Sequence, residues 1–426
     1  MFELEYWQRQ AAALRFRDRA LIGGRQVVAQ SGQTFAAINP ATGACLAQVA
    51  ACGREEVDAA VLSARQAFES GSWSARSPTD RKQVLLRLAD LIMANREELA
   101  LLDSLNMGKP VMDAYNVDVP GAAGVFRWYA ESLDKLYDQV APSAQNVLAT
   151  ITREALGVVA AVVPWNFPLD MAAWKLAPAL AAGNSVVLKP AEQSPFSALR
   201  LAELALEAGV PEGVLNVVPG LGEQAGKALG LHPDVDCLVF TGSTEVGKLF
   251  MQYSAQSNLK QVWLECGGKS ANLVFADCQD LDLAAQKAAF GIFFNQGQVC
   301  SANSRLLVER SIHDQFVERL QAHAEYWQPG DPLNPASTLG AIVDSRQTAR
   351  IMTFIHGAQE QGARWVCGGR KQTFNGSDNF ITPCIFTDVR ADMRLFREEV
   401  FGPVLAVSAF DRSEERRVGK ECPRCV

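Results

Sequence analysis

The strongest constraint on the fold is a series of short apolar segments that starts near Gly157 and alternates with helical stretches. The segments are rich in β-branched residues, are bounded by Gly or Pro, and lie at Val158–Val163, Ser185–Leu188, Val214–Val218, Cys237–Phe240 and Asn272–Phe275. Strands that are apolar almost throughout and alternate with helices are typical of a parallel sheet covered on both faces. The sequence therefore predicts an α/β protein.

Two amphipathic helices are predicted before this region. The first has an apolar stripe at helical spacing, formed by Val57, Ala60, Val61, Ala64 and Phe68. The second is predicted to begin at Ser77-Pro78, a capping residue followed by proline at the first helical position, and to end by Gly108-Lys109-Pro110.

Composition narrows the classes of function. The length of 426 residues indicates two or three domains. The net charge of −7 means that no basic surface is expected to bind nucleic acid or an anionic membrane. The N-terminus has no basic, apolar leader, and no apolar stretch is long enough to cross a bilayer. The ten cysteines are scattered singly outside the last residues, and the four histidines lack metal-ligand spacing. We therefore expect a cytoplasmic protein that binds no nucleic acid, no membrane and no metal.

Three polar residues stand in positions where chemistry is plausible. Asn166 lies in a proline-bracketed turn after an apolar strand and is either an oxyanion donor or a turn-capping residue. Cys300 follows a glycine-containing turn and is either a nucleophile or a small buried hydrophobe, as Cys237 and Cys278 are expected to be. Glu265 precedes two glycines and is either a general base or a surface glutamate.

Two glycine-containing turns are candidate phosphate sites. The segment Phe240–Gly247 takes a strand into a helix, whose N-terminal N–H groups can bind phosphate. The segment Gly220–Ala225 matches a G-x-G-x-x-A dinucleotide fingerprint, but the acidic residue expected about twenty positions later is missing. On its own this second match is weak.

The end of the sequence departs from the α/β pattern. After a strand-like run at Val404–Phe410, residues 412–426 are dense in charge and contain Cys422-x-x-Cys425. A second cysteine pair that would complete a zinc site is missing. The stretch resembles the translation of a common sequencing-adapter oligonucleotide, so our hypothesis is that native coding sequence stops near Asp411. Resequencing the gene across that codon would test it.

Taken together, Trp165-Asn166, Glu265, Cys300 and Glu399-Val400-Phe401-Gly402-Pro403 resemble the NAD(P)-dependent aldehyde dehydrogenase superfamily. The resemblance extends from Ala20 to Phe410. Its fine detail, in Val262–Glu265, Ser270–Cys278 and Gly291–Cys300, is similar to the bacterial branch acting on γ-glutamyl-γ-aminobutyraldehyde and 4-guanidinobutyraldehyde.

The resemblance implies two doubly wound, Rossmann-like domains and a small oligomerisation arm. Residues 1–135 and 154–264 would form the NAD-binding domain, 136–153 the arm, and 265–411 the catalytic domain, with 412–426 as a non-native tail. Similar proteins form homodimers or homotetramers through the arm. Because they usually continue past the point where the similarity stops, we expect an incomplete catalytic domain and an arm without its partner strand.

The resemblance also implies roles for individual residues. Cys300 would attack the aldehyde, Asn166 and the Cys300 N–H would hold the oxyanion, Glu265 would activate water, and Lys175 would belong to the same catalytic group. Carboxylate Glu192 would accept the ribose hydroxyls and favour NAD over NADP. The cofactor-binding residues would be Val162, Trp165, Lys189, Glu192, Gly222, Gly242, Ser243, Val246, Gly247, Glu399 and Phe401.

The aldehyde tunnel would be lined by Phe167, Trp174 and Phe294, which are aromatic positions in the matching segments. Asp118 lies just before a predicted helix, where the family has its tunnel mouth. It is either a carboxylate that attracts a cationic substrate or a solvated aspartate at a helix start.

The expected activity is therefore NAD-dependent oxidation of an ω-amino, γ-glutamylamino or guanidino aldehyde to the carboxylic acid. Two alternatives stay open. The chain is an inactive, truncated NAD-binding fragment, or its cysteine and oxyanion donor act as a thiol-dependent esterase.

Overall fold

The computed structural model describes residues 3–411, so the proposed tail at 412–426 lies outside the described residues. The helices are α1 (Leu4–Ala13), α2 (Arg54–Glu69), α3 (Pro78–Ala94), α4 (Arg96–Met107), α5 (Val111–Asp113), α6 (Val119–Ser132), α7 (Pro168–Ala181), α8 (Phe196–Ala208), α9 (Lys227–Leu231), α10 (Thr244–Gln256), α11 (Leu281–Phe293), α12 (His313–Ala324), α13 (Ser345–Glu360) and α14 (Arg394–Arg397).

The strands are β1 (Ala20–Ile22), β2 (Arg25–Val27), β3 (Thr34–Ile38), β4 (Cys45–Ala50), β5 (Gln139–Ala141), β6 (Ala149–Ile151), β7 (Val158–Val162), β8 (Ser185–Lys189), β9 (Leu215–Val217), β10 (Cys237–Gly242), β11 (Gln261–Cys266), β12 (Ala271–Val274), β13 (Arg305–Glu309), β14 (Arg364–Cys367), β15 (Lys371–Phe374), β16 (Ser377–Ile381), β17 (Cys384–Thr387) and β18 (Val404–Phe410). All five predicted strands are therefore confirmed, as β7, β8, β9, β10 and β12.

Seven strands form the first sheet, in the order β11-β10-β7-β8-β9-β1-β2. The five from β7 to β11 are parallel, and β1 and β2 pair antiparallel at one edge. From β7 the chain builds β8 and β9 on one side and then returns to the other side for β10 and β11. This reversal of strand order opens a crevice at the carboxyl ends of β7 and β10, where such sheets bind ligands.

Helices cover both faces of this sheet. On one face α3, α6, α7 and α8 bury Leu88, Phe126, Leu176 and Leu201, and on the other α2 buries its predicted stripe around Val61. The second predicted helix is two helices. Ser77 caps α3 by accepting a hydrogen bond from the Asp80 N–H at 3.1 Å, but the backbone leaves helical geometry at Asn95 before α4 continues.

The second sheet has five strands in the order β12-β13-β18-β17-β14. Helices α11 and α12 pack on one face and α13 on the other. The pairing of β14 with β17 is antiparallel, so the sheet is mixed and departs from the doubly wound, parallel pattern. The chain between β14 and β17 is the β15–β16 hairpin, so β17 returns antiparallel to β14 without the crossover helix that a parallel neighbour needs.

Residues 136–153 form an exposed hairpin made of β5 and β6. Val140 and Leu148 are 70% and 78% exposed. The role of this hairpin in oligomerisation stays a prediction. Within residues 3–411, no helix combines the length and hydropathy required to span a bilayer.

Gly108 joins the two halves of the molecule. It ends α4 in the left-handed region at φ +85°, and its carbonyl accepts hydrogen bonds from the Ala341 N–H at 2.8 Å and from Gln296 Nε2 at 3.4 Å. A Cβ at Gly108 would lie 2.7 Å from the Ala341 carbonyl oxygen. This close approach positions the loop that contains Gln296, four residues before Cys300.

We expect Gly108→Ala to lower the free energy of unfolding by at least about 1–2 kcal/mol, because the left-handed backbone disfavours a Cβ and the Ala341 carbonyl blocks it. Urea denaturation of the purified chain measures this. The matched control is Gly124→Ala inside α6, where a Cβ meets no atom within 4 Å. That change should raise stability by about 0.5–1 kcal/mol. Equal or greater stability for Gly108→Ala than for wild type would contradict the contact.

Candidate active site

The predicted catalytic residues approach the crevice from separate elements. Asn166 follows β7, Lys175 lies in α7, Glu265 is near the end of β11, and Cys300 lies between α11 and β13. The charges of Glu265 and Cys300 both act on Lys175, and Glu265 acts on Cys300. The structure therefore brings Lys175, Glu265 and Cys300 within electrostatic range of one another, while the role of each stays a prediction.

Asn166 is hydrogen-bonded to the loop that carries Cys300. Its Nδ2 donates to the Gln298 carbonyl at 2.9 Å, and Asn295 Nδ2 donates to the Asn166 carbonyl at 3.0 Å. Asn295 and Gln296 make this possible by adopting left-handed φ values of +50° and +57°. The bond to Gln298 uses one of the two Asn166 amide hydrogens, so a second hydrogen remains for an oxyanion.

The surroundings of Cys300 favour its neutral thiol. Burial raises the pKa of Cys300, and the carboxylates of Glu265 and Glu399 raise it further. The backbone N–H groups of Ser301 and Cys300 oppose this by lowering the pKa. Burial also lowers the pKa of Lys175, whereas Glu265 and Cys300 raise it. Glu265 itself is exposed, which gives water access to its carboxylate.

The residues predicted to bind the cofactor line the carboxyl edge of the first sheet. They end or follow its strands, as Val162 and Trp165 do for β7, Lys189 and Glu192 for β8, and Gly242, Ser243, Val246 and Gly247 for β10. Ser243 caps α10, and its Oγ accepts a hydrogen bond from the Val246 N–H at 3.3 Å. Gly247 leaves room for Cys266, whose Sγ would lie 3.0 Å from a Cβ at that position.

Lys189 and Glu192 form one polar corner of the crevice. Lys189 is buried, and its Nζ donates to the Pro190 carbonyl at 2.9 Å and to Glu192 Oε2 at 3.5 Å. The fingerprint-like segment lies beside them as a π-helical turn at Gly222–Gly226, with Gly226 against the Lys189 side chain. A Cβ at Gly222 would meet no atom within 4 Å.

Glu399 and Phe401 close the other end of the crevice. The Phe401 ring packs edge-to-face on Trp165 with centroids 5.3 Å apart. Glu399 lies against Gly267, and its Oε1 is buried without a hydrogen-bond partner among the described residues. Burial raises the pKa of Glu399, while the Gly268 N–H, Lys269 and Arg350 lower it. An unpartnered acceptor here fits a bound ribose hydroxyl.

Aromatic side chains form a wall beside the nucleophile. The rings of Phe167 and Phe294 stack with centroids 6.3 Å apart, and Phe290 extends the stack at 5.2 Å from Phe294. Trp174, about two helical turns after Phe167, is 56% exposed. Of the three predicted tunnel residues, Phe167 and Phe294 therefore form one aromatic stack, and Phe290 is an addition that the sequence pattern did not distinguish from helix packing.

Both interpretations of Asp118 are wrong. Its side chain is fully buried, so it is not a solvated helix-start aspartate and does not present a charge at a tunnel mouth. It forms a buried ion pair with Lys109, whose Nζ also lies 3.9 Å from the centre of the Phe167 ring. The sequence predicts only a helix stop at Gly108-Lys109-Pro110, because nothing in this segment indicates a buried cation.

Comparisons with known proteins agree with this geometry. The family model described as the aldehyde dehydrogenase family matches residues 27–417. The chain is 50% identical over 412 residues, 97% of its length and 82% of the relative's, to the NADP/NAD-dependent aldehyde dehydrogenase PuuC of Escherichia coli strain K12.

Two solved structures are similarly close. One is a γ-glutamyl-γ-aminobutyraldehyde dehydrogenase from Burkholderia cenocepacia J2315, at 52% identity and a TM-score of 0.97. The other is the P. syringae indole-3-acetaldehyde dehydrogenase AldA in complex with NAD⁺ and IAA, at 50% identity and a TM-score of 0.98. Each match covers 99% of this chain and 85% of the other.

Because the Glu265 carboxylate raises the pKa of Cys300, Glu265→Gln should shift alkylation of Cys300 by iodoacetamide to lower pH. The rate can be followed by mass spectrometry of the Cys300 peptide between about pH 6 and 10. The matched control is Glu245→Gln, which removes an exposed carboxylate in α10 and should leave the profile unchanged. An identical shift in both variants would mean that Glu265 does not act locally on the thiol.

Proposed function

Since this chain belongs to the aldehyde dehydrogenase family, we propose that it oxidises an ω-amino, γ-glutamylamino or guanidino aldehyde to the carboxylic acid with NAD. The observation that carries the proposal is the convergence of Cys300, Asn166 and Glu265 beside a crevice at the strand-order reversal. Family membership confirms the resemblance that the motifs indicated.

Cys300 is the proposed nucleophile. Its thiolate attacks the aldehyde carbon and forms a thiohemiacetal, while the carbonyl oxygen becomes an oxyanion. The second amide hydrogen of Asn166 and the Cys300 N–H are the donors for this oxygen. The hydrogen bond from Asn166 to the Gln298 carbonyl holds the amide in place before the substrate arrives, so little reorganisation is required.

The crevice fits a dinucleotide. The unpartnered Glu399 Oε1 is available as an acceptor for a ribose hydroxyl. The open space at Gly222 would allow the cofactor to approach the backbone closely, and the capped N-terminus of α10 is a candidate phosphate site. When bound, NAD supplies the acceptor for the hydride that leaves the thiohemiacetal carbon. Trp165, Glu399 and Phe401 would hold the nicotinamide end, and Lys189 and Glu192 the adenosine ribose.

Glu265 is the proposed general base for the second stage. After hydride loss Cys300 carries a thioester, and water must attack its carbonyl carbon to release the acid. The exposed Glu265 carboxylate takes a proton from this water, and the Cys300 thiolate leaves. The charges of Glu265 and Cys300 both interact with Lys175, which would stabilise negative charge on whichever of the two residues carries it during the reaction.

Relatives support the aldehyde class. The Burkholderia structure is named for γ-glutamyl-γ-aminobutyraldehyde, and AldA for indole-3-acetaldehyde, a substrate with no amino group. The motif detail in Gly291–Cys300 favours the first of these two classes for this chain.

Purified protein with NAD and an amino aldehyde should produce NADH, measured by its absorbance, and Cys300→Ala should abolish turnover. Glu265→Gln should still give a first burst of NADH but slow steady-state turnover by at least about a hundredfold, because only the hydrolysis stage needs the base. Ester cleavage without any NADH formation would favour the thiol esterase. Soluble, folded wild-type protein with neither activity would contradict the proposal.

NAD preference is tested at Glu192. A carboxylate there accepts ribose hydroxyls and repels a 2′-phosphate. Glu192→Gln should therefore raise kcat/KM with NADP relative to that with NAD by about tenfold. Glu223→Gln, on the neighbouring turn, is the control for a general loss of negative charge. An unchanged NADP-to-NAD ratio in Glu192→Gln would contradict the role of this carboxylate.

A further inference from the structure

Asp170 lies in the first turn of α7, four residues before the predicted tunnel residue Trp174, so the two side chains project from the same side of the helix. Phe167, the other tunnel residue of this segment, is the residue that directly precedes the helix. Phe167 and Trp174 line the predicted aldehyde tunnel. A charged residue between two apolar wall residues is not needed for packing.

One oxygen of Asp170 has no partner. Its Oδ1 is buried and makes no hydrogen bond among the described residues. It faces Gly121 in α6, where a Cβ would lie 3.2 Å from Oδ1. Because Gly121 has no side chain, this position of α6 offers the oxygen no side-chain donor.

The only cation that acts on Asp170 within residues 3–411 is already engaged. Lys109 forms the buried ion pair with Asp118 and contacts the face of Phe167. The pKa of Asp170 is raised to about 6, first by burial and then by Asp118, although Lys109 and a hydrogen bond from Trp174 act to lower it. The pKa values of two more carboxylates, the buried Asp103 and the partly buried Asp113, are raised to about 7, mainly by loss of contact with water.

This neighbourhood therefore contains four carboxylates and one lysine. An unpaired carboxylate with little access to water is costly, and a cation or a proton relieves that cost. Of the four, only Asp170 lies in α7 on the side of Trp174, and it is only partly buried, so it is the carboxylate that a substrate can reach. The fully buried Asp118 Oδ1 is likewise unpartnered, which adds to the negative potential behind Asp170.

We propose that Asp170 binds the ammonium or guanidinium group of a cationic aldehyde and so selects this class over neutral aldehydes. The inference rests on the proposed aldehyde oxidation and narrows it. A zwitterionic γ-glutamylamino aldehyde would benefit through its ammonium group, whereas an indole aldehyde would not. An acidic residue in a first helical turn also interacts well with the helix dipole, but that role is independent of the substrate's charge.

The test compares 3-aminopropanal with butanal, which has nearly the same shape and differs by replacement of the ammonium with a methyl group. Asp170→Asn should lower kcat/KM for 3-aminopropanal by about tenfold or more, chiefly by raising KM, and should leave kcat/KM for butanal unchanged. Asp170→Leu should lower kcat/KM for 3-aminopropanal further and raise kcat/KM for butanal. Asp170→Glu should restore part of the preference for the amino aldehyde.

Asp113→Asn is the matched control, since it removes another carboxylate of the same neighbourhood from a position off the tunnel face. It should leave the ratio of the two substrates within the range of wild type. If Asp113→Asn and Asp170→Asn lost the preference for 3-aminopropanal equally, the preference would come from the general negative potential of the neighbourhood and not from direct contact with Asp170, and the proposal would be overturned. An equal loss on both substrates in Asp170→Asn would do so as well.

Competitive inhibition of the wild-type enzyme tests the same idea without relying on the folding of a variant. With butanal as substrate, n-propylammonium should compete with wild-type enzyme at least about tenfold better than 1-propanol of similar size. Equal inhibition by the two would overturn the role of a carboxylate. A wild-type protein that oxidises neither aldehyde would count against the proposed function, whereas butanal turnover without ammonium preference would count against Asp170 alone.

Discussion

The active site depends on two hydrogen bonds that tie a loop of the first sheet to a loop of the second. Asn166 donates to the Gln298 carbonyl, and Asn295 donates to the Asn166 carbonyl. Both bonds are buried, so breaking either leaves polar groups without water as a replacement partner. They place the Asn166 amide beside the loop that carries Cys300. The left-handed backbone at Asn295 and Gln296 is strained for non-glycine residues and is retained where it positions Cys300.

The same site favours the neutral form of the Cys300 thiol. Burial and two carboxylates raise the pKa of Cys300, and only nearby backbone N–H groups oppose them. Oxidation requires a thiolate, so a mainly neutral thiol is better protected between turnovers. The cost is that a smaller fraction of Cys300 is reactive at neutral pH. In the proposed mechanism, Lys175 and the oxyanion donors would favour the charged states once an aldehyde is present, so the reactivity of Cys300 would depend on the bound substrate.

Sequence reasoning predicted the first sheet better than the second. The strands β7, β8, β9 and β10 are predicted because both of their faces are apolar, whereas β11, at the edge of the first sheet, mixes exposed and partly buried residues and is not distinguished as a strand. The buried strands β13 and β17 lie inside the second sheet and are not identified from the sequence. Spacing alone makes Cys300, Asn166 and Glu265 only candidates, because the sequence does not show what surrounds a thiol or an amide in the fold. The family motifs link the three residues. Asp118 was misjudged because its partner Lys109 is reached only through a π-helical turn and tertiary burial.

The buried charges beneath the aromatic wall are difficult to explain by stability alone. Replacing a buried ion pair by apolar residues of similar volume is often neutral or stabilising, so the Lys109–Asp118 pair is weak evidence for a stabilising role. The pair instead fixes Lys109 against the Phe167 ring and leaves Asp170 without a counter-ion. Three further carboxylates surround Lys109, so one lysine cannot neutralise them all. The balance must come from protons or from a cation, and the tunnel face of α7 is where a substrate can supply one.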